Sequence, residues 1–180
     1  REHGSKDVGS LWRYAARLNE EYAIKVANAI VSFATEHFVH CIVFEHLSMN
    51  GKKRGSRKQR LQIWRKNYIQ EVVTHKAHRL GMRISRICAW KTSQLAFDGS
   101  GPVQRDEDNY SLCTFSSGKH YNCDLSASYN IGARYFIREL LKSPLVTAGS
   151  DILTKVPDAR RRTSCTLATL LRLNEALACL

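Results

Sequence analysis

Between positions 11 and 38 apolar residues return every three or four places, as Leu11, Ala15, Leu18, Tyr22, Val26, Ile30 and Phe33. No Gly or Pro interrupts them, and the spacing predicts one long amphipathic helix with this stripe as its packing face. The pattern then changes to a short continuous apolar run, Val39–Leu47, rich in Val, Ile and Phe as a central strand would be. A second helix is predicted from about Arg57 to Leu80. Leu61, Trp64, Tyr68, Ile69, Val72 and Val73 make its inward face, while Arg65, Lys66, Lys76 and Arg79 stay in water. Gly81 stands where helices commonly stop. Met82–Trp90 reads as another strand, and strand, helix, strand at this spacing is a βαβ-like unit that points to an α/β sheet.

From Lys91 to Asn122 the periodicity is lost. Gly99, Gly101, Pro102, the acidic patch Asp106-Glu107-Asp108, Ser116, Ser117 and Gly118 signal turns, with a short hairpin around Tyr110–Phe115. Such an insertion would hold together by packing Phe97, Tyr110, Leu112, Phe115 and Tyr121; the same aromatics could also stack the bases of a single strand. Helical spacing resumes after Asp124, with Leu125, Tyr129, Gly132 and Phe136 on one face. Beyond Ser143-Pro144 a polar link, Leu145–Arg162, ends in the basic run Arg160-Arg161-Arg162, and Thr166–Leu180 is a Leu-rich last helix.

Composition narrows the classes. The 180 residues fit one domain, or one domain with a small insertion, and 43% hydrophobic residues are too many for disorder. With 28 Lys and Arg against 16 Asp and Glu, the formal charge is +12, which favours a polyanionic partner because each neutralised phosphate releases a counterion. The excess clusters at Lys52, Lys53, Arg54, Arg57, Lys58 and Arg60, in a loop marked by Gly51 and Gly55. No run approaches the ~18 apolar residues of a membrane span, and no secretory leader is seen, so a soluble, non-secreted protein is expected. Cys41, Cys88, Cys113, Cys123, Cys165 and Cys179 form no CxxC pair and are expected to be free thiols in a reducing compartment. The chain begins with Arg1 rather than Met and is expected to be a fragment or a processed piece.

Two carboxylates stand out. Glu45 lies near the end of the apolar strand, where a charge needs a partner because burying it alone is expensive. A metal ion is one such partner; a buried Arg is the other. Asp124 lies at the start of a helix. Two-metal phosphodiester hydrolysis needs carboxylates around ions about 3.5–4 Å apart, and hard divalent ions prefer oxygen ligands. An acid at a strand end and an acid at a helix start suit that chemistry if the fold brings them to one edge.

The string Ile42-Val43-Phe44-Glu45-His46-Leu47 resembles the second catalytic segment of the RuvC-type nuclease domain in transposon-encoded TnpB proteins and type V CRISPR effectors, where a hydrophobic strand ends in Glu. Asp124-Leu125-Ser126-Ala127-Ser128-Tyr129-Asn130-Ile131 is similar to the third segment, Asp-x-Asn-Ala-Ala-x-Asn-Ile. Thr92-Ser93-Gln94 resembles the Thr-Ser-Gln that leads into the family's inserted target-nucleic-acid-binding module. The likeness covers roughly Leu11 to Leu141. It implies an RNase H-like (RuvC) α/β domain, incomplete at its N-terminus: 1–91 with the long helix, the Glu strand, the basic helix and a strand; 92–122 as a zinc-ribbon-like insertion; 123–142 as the third-segment helix; 143–180 as a C-terminal helical extension.

The activity so implied is RNA-guided DNA cleavage. Glu45 and Asp124 would be catalytic and would bind Mg²⁺ (or Mn²⁺), as two of three carboxylates. Lys52, Lys53, Arg54, Arg57, Lys58, Arg60, Arg65, Lys66 and Arg105 would contact nucleic acid. The partners would be guide RNA, target DNA and the N-terminal remainder of the nuclease, with no membrane; the compartment would be the cytoplasm or nucleoid of a prokaryote, or a eukaryotic nucleus.

The sequence departs from the family in three places. No residue occupies the place of the first catalytic Asp, since Asp7 stands in a polar stretch just before the helix. The usual zinc-ribbon cysteine pairs fall on Ala96 and Gly99, and on Cys113 and Ser116; His120 and Cys123 fit poorly as substitutes, so no zinc is expected. Ser126 and Ser128 replace Asn and Ala. These departures leave two rival functions open, a nuclease-dead guide-directed DNA-binding protein and a basic RNA/DNA-binding module.

Overall fold

The first apolar stripe does form a helix, α1 (Ser5–Glu36), but another of its faces is buried. In this computed structural model, which describes residues 5–46, 65–143, 150–161 and 163–178, Ala23, Ala27, Val31 and Ala34 are the buried positions of α1. Leu11, 67% exposed, and Tyr22, Val26 and Phe33 face solvent, against the sequence expectation. Three of the buried residues directly follow an exposed one, so the packed stripe is rotated by about 100° from the predicted one. The partner helix explains the choice. Ala77 of α2 (Lys66–Arg79) is fully buried, and small residues on both helices let their backbones approach closely.

The chain divides into two compact units. The first, Arg1–Ile42 with Ser48–Ile84, packs α1 on α2 over Ala34, Ala77 and Met82, flanked by Val39, Ile42 and Ile84. At the end of α2 the predicted stop is observed. Gly81 takes a positive φ of 75°, its amide donates to the His78 carbonyl (3.1 Å), and the Met82 amide donates to that of Ala77 (2.9 Å). The two predicted strands are β1 (Cys41–His46) and β2 (Arg83–Cys88), neighbours in a two-stranded sheet.

The second unit comprises Val43–Leu47 and Ser85–Leu180. Here β3 (Gln104–Arg105), β4 (Leu112–Thr114) and β5 (His120–Asn122) make a small antiparallel sheet in that order, with Cys113 opposite Tyr121. The expected hairpin is therefore displaced, since β4 turns back through Gly118 (φ 83°) into β5. Ala96, Cys113, Phe115 and Cys123 form its core with Phe97, Val103 and Tyr121. Tyr110, 72% exposed, lies outside that core in the turn before β4, and Leu112 lies outside it because it alternates along β4 with inward-facing Cys113.

Helix α3 (Cys123–Leu140) follows without a break, capped by Asn122, whose side chain accepts from the amides of Asp124 and Leu125. Its buried side is Ser126, Ala127, Asn130, Ala133, Arg134 and Ile137, whereas Leu125, Tyr129 and Phe136 are exposed, another reversal of the predicted face. Asn130 and Arg134 claim the inside because they have specific partners there, described below, whereas the small Ser126 hydroxyl is buried without a hydrogen-bond partner among the described residues. The unit closes with α4 (Ser150–Lys155), a 3₁₀ turn (Pro157–Arg160) and α5 (Leu167–Ala178), packed on Ile137, Val156, Ala159, Cys165 and Leu173. No described helix is long and apolar enough to cross a membrane.

Ala96 is fully buried in the small core, and a Cβ at Gly99 (φ +80°) would meet the Ala168 Cβ at 3.0 Å. Burial, with Cys123 as hydrogen-bonding neighbour, pushes the Cys113 thiol up to about 11.

Two outcomes follow. Ala77→Leu should cost about 1–3 kcal/mol in urea unfolding by overpacking the α1–α2 contact, whereas Leu11→Ala should change stability by less than about 0.5 kcal/mol. In the folded protein at mildly alkaline pH, exposed Cys88 should react readily with iodoacetamide, while buried Cys113, Cys123 and Cys165 react only as the chain unfolds. Peptide mass spectrometry reads the order of modification, and early labelling of Cys113 would contradict its placement.

Candidate functional site

Glu45 is the penultimate residue of β1 and is half-buried. The buried Thr92 hydroxyl donates a hydrogen bond to its Oε1, and the same hydroxyl lies 3.1 Å from the Ala89 carbonyl oxygen. Thr92 also meets α3 through its backbone. Its carbonyl accepts from Asn130 Nδ2 at 3.0 Å, and the Leu95 carbonyl accepts from the same amide at 2.8 Å. The Asn130 Oδ1 in turn accepts from the Leu167 amide at 3.3 Å, which ties the start of α5 to the same point. Asn130 is fully buried, so these bonds offset a desolvation cost that an unpartnered amide would bear in full. Thr92 therefore connects the strand that carries Glu45 to the helix that carries Asp124.

One turn further along α3, Arg134 is 5% exposed. Its Nε donates to the Cys165 carbonyl (3.1 Å), its Nη1 to those of Cys88 (2.9 Å) and Trp90 (2.7 Å), and its Nη2 to that of Thr163 (2.9 Å). These are neutral acceptors. Burial draws the guanidinium below its ordinary range, opposed by Cys165, Cys88 and the charge of Glu45. The buried arginine considered from sequence as a partner for Glu45 is thus present nearby, while Thr92 donates a hydrogen bond to Glu45.

Asp124 lies in the first turn of α3 and is exposed, where a negative charge is favoured by the helix N-terminus. Asn130 is six residues further on, about 9 Å of helix rise. Glu45 and Asp124 belong to the same compact unit, and both are hard oxygen donors, the type that Mg²⁺ or Mn²⁺ takes. Among the described residues no group of three or more His, Cys, Asp and Glu is disposed to hold a metal.

The expected nucleic-acid contacts are placed unevenly. Lys52, Lys53, Arg54, Arg57, Lys58 and Arg60 lie outside the described residues, as does the side chain of Lys66. Arg65 precedes α2 and lies over the Tyr68 ring (5.7 Å). Arg105 donates to the Tyr110 carbonyl (3.1 Å) and covers the Tyr110 ring (4.5 Å), closing the connection between β3 and β4. Phe97 meets Tyr121 (5.0 Å) and Tyr129 (5.2 Å), and the Lys119 amine sits 4.8 Å from Phe97 and 4.9 Å from Tyr121.

Sequence reasoning gave no role to Thr92, Asn130 or Arg134. Asn130 and Arg134 are spaced by four, with Ala133 and Ile137 on the same face, and that spacing was the available signal.

No protein-family model matches the chain, and no curated protein matches it. Among solved structures, the fold is similar to a chain in the cryo-EM structure of a Cas12f1–sgRNA–target DNA complex, with a TM-score of 0.51 and 20% identity over 70% of this chain. The match spans 36% of that neighbour's length, and the likeness is one of fold.

Proposed function

We propose that this chain is the C-terminal part of an RNase H-like (RuvC) nuclease domain that cleaves DNA under the direction of a guide RNA. The observation that carries the proposal is the double role of Thr92, whose hydroxyl holds the Glu45 carboxylate while its carbonyl holds the Asp124 helix through Asn130. A strand end carrying one carboxylate and a helix whose first turn carries another, tied together through buried Thr92 and Asn130, would give metal ligands a rigid support. The fold neighbour comes from a complex with single-guide RNA and target DNA, and the charge of +12 suits partners of that kind.

In this reading Glu45 and Asp124 would hold Mg²⁺, which when bound would activate water and stabilise the leaving oxygen. The third carboxylate would come from the N-terminal remainder. Thr92 is a positioning residue, since it acts through Glu45. The insertion around β3–β5 would bear on target nucleic acid with Arg105, and the basic segment at 52–60 on backbone phosphates.

Cleavage by the complete assembly with guide RNA and Mg²⁺ tests the proposal. Glu45→Ala and Asp124→Ala should each abolish cleavage while guide binding persists. Thr92→Val should lower cleavage about 10–100-fold, the usual cost of losing a residue that orients a metal ligand, with a raised Mg²⁺ requirement. Undiminished cleavage by either carboxylate variant would remove that residue from the mechanism. Thr92→Val with normal Mg²⁺ dependence would remove the positioning role.

A further inference from the structure

On the second unit, away from the start of α3, a cavity of about 300 Å³ opens between β2, the C-terminal half of α3 and Cys165. Its lining has two characters. Ile87, Ile137 and Leu141 supply an apolar wall, and Arg86, Arg134, Arg138 and Lys142 supply four cations. Among the described residues no Asp or Glu lines it. Glu139 stands next to it, bonded by Arg138 Nε (3.0 Å) and Lys142 Nζ (3.1 Å), and so offsets part of that charge at the rim. Arg138 is further fixed by bonds to the Arg86 carbonyl (3.0 Å) and Ser85 Oγ (2.6 Å), so its guanidinium is held in place before any ligand arrives.

Arg134 gives the cavity its sign. A buried guanidinium whose hydrogen bonds go to neutral carbonyls keeps its charge at a desolvation cost that Glu45 offsets only in part, and an anion placed in the adjoining space lowers that cost further. The apolar wall and the volume then set the size. About 300 Å³ is at the lower limit of small-molecule sites, which suits a ligand with one charged group and one flat apolar body. A bare anion would leave the aliphatic wall uncovered, whereas a nucleotide sets its phosphate on the cations and covers the wall with its base.

The geometry points to a binding site for one nucleotide unit, its phosphate against Arg86 and Lys142 and its base against Ile87, Ile137 and Leu141. Arg134 lies ten residues past Asp124, about 15 Å along the helix, so the cavity is distinct from the Asp124 end of α3, although Arg134 itself also feels the charge of Glu45. The inference deepens the nucleic-acid reading and rests on it for the identity of the strand. The chemistry is shared by a nucleotide within a strand and a free mononucleotide, and the experiment separates them.

Cys88 lines the cavity and is exposed, so its alkylation reports occupancy. Iodoacetamide, a neutral reagent, would be applied to the protein alone, with oligothymidylate, with thymidine monophosphate and with inorganic phosphate, and the Cys88 peptide followed by mass spectrometry. Fluorescence anisotropy of the labelled oligothymidylate would be read in parallel across a salt series. Saturating oligothymidylate should slow Cys88 alkylation at least tenfold, and thymidine monophosphate should do the same at higher concentration. Protection by the mononucleotide alone supports the site and assigns it to a free nucleotide. Arg86→Ala and Lys142→Ala should each weaken oligothymidylate binding several-fold and reduce the salt slope by about one, with Lys142→Arg restoring it. Unchanged alkylation while anisotropy shows the strand bound would overturn the inference, leaving cleavage dependent on Glu45 and Asp124 untouched. Equal protection by inorganic phosphate would also overturn it, since the apolar wall would then have no part.

Discussion

One residue, Thr92, sets the geometry on which the candidate site depends. A carboxylate at the end of a strand is held in a chosen orientation only if a fixed donor meets it, and the Thr92 hydroxyl is such a donor. The donor is fixed because its own backbone is tied to α3 by Asn130, and Asn130 is tied in turn to the Leu95 carbonyl and the Leu167 amide. A hydrogen bond to an ionised group contributes about 1.5–3 kcal/mol, and loss of one partner inside the protein exposes the full desolvation cost of the other. Glu45 and the Asp124 helix are thus anchored through one small polar network.

That network has an unusual consequence for α3. Its inward side carries an amide and a guanidinium where an ordinary packing helix carries leucines. The apolar side chains Leu125, Tyr129 and Phe136 are displaced to the outside, and the C-terminal half of the helix retains a basic, partly apolar cavity. Arg134 contributes to both features, since it binds the carbonyls of the β2 end and of Thr163 and Cys165 while lending its charge to Glu45 and to the cavity. Polar groups buried in this manner specify one arrangement of neighbouring segments, because any other leaves donors and acceptors unmet.

The order of helices and strands was legible from periodicity, from Gly81 at the end of α2 and from the turn residues of the insertion. Faces were less legible. On α1 the larger apolar residues suggested one stripe, but Ala23, Ala27 and Ala34 are buried because close helix approach rewards small side chains. On α3 the apolar spacing points to Leu125, Tyr129, Gly132 and Phe136 and is silent on Asn130 and Arg134, since spacing cannot show which carbonyls a polar side chain will meet. Tyr110 and Leu112 are expected from sequence in a core that Tyr110 leaves by its place in a turn and Leu112 by strand alternation with Cys113. Glu45 and Asp124 are read from the sequence as acids at element ends, while Thr92, which joins their two elements through Asn130, is visible there only as part of a Thr-Ser-Gln string.

The most direct measurement is a crystal or cryo-EM structure of the complete assembly with Mn²⁺ and uncleaved DNA. The account predicts metal density bonded to both Glu45 and Asp124 at about 2.1 Å, with the Thr92 hydroxyl still on the Glu45 carboxylate. Density on one carboxylate with the other turned away, or two carboxylates too far apart to share an ion cluster, would contradict it.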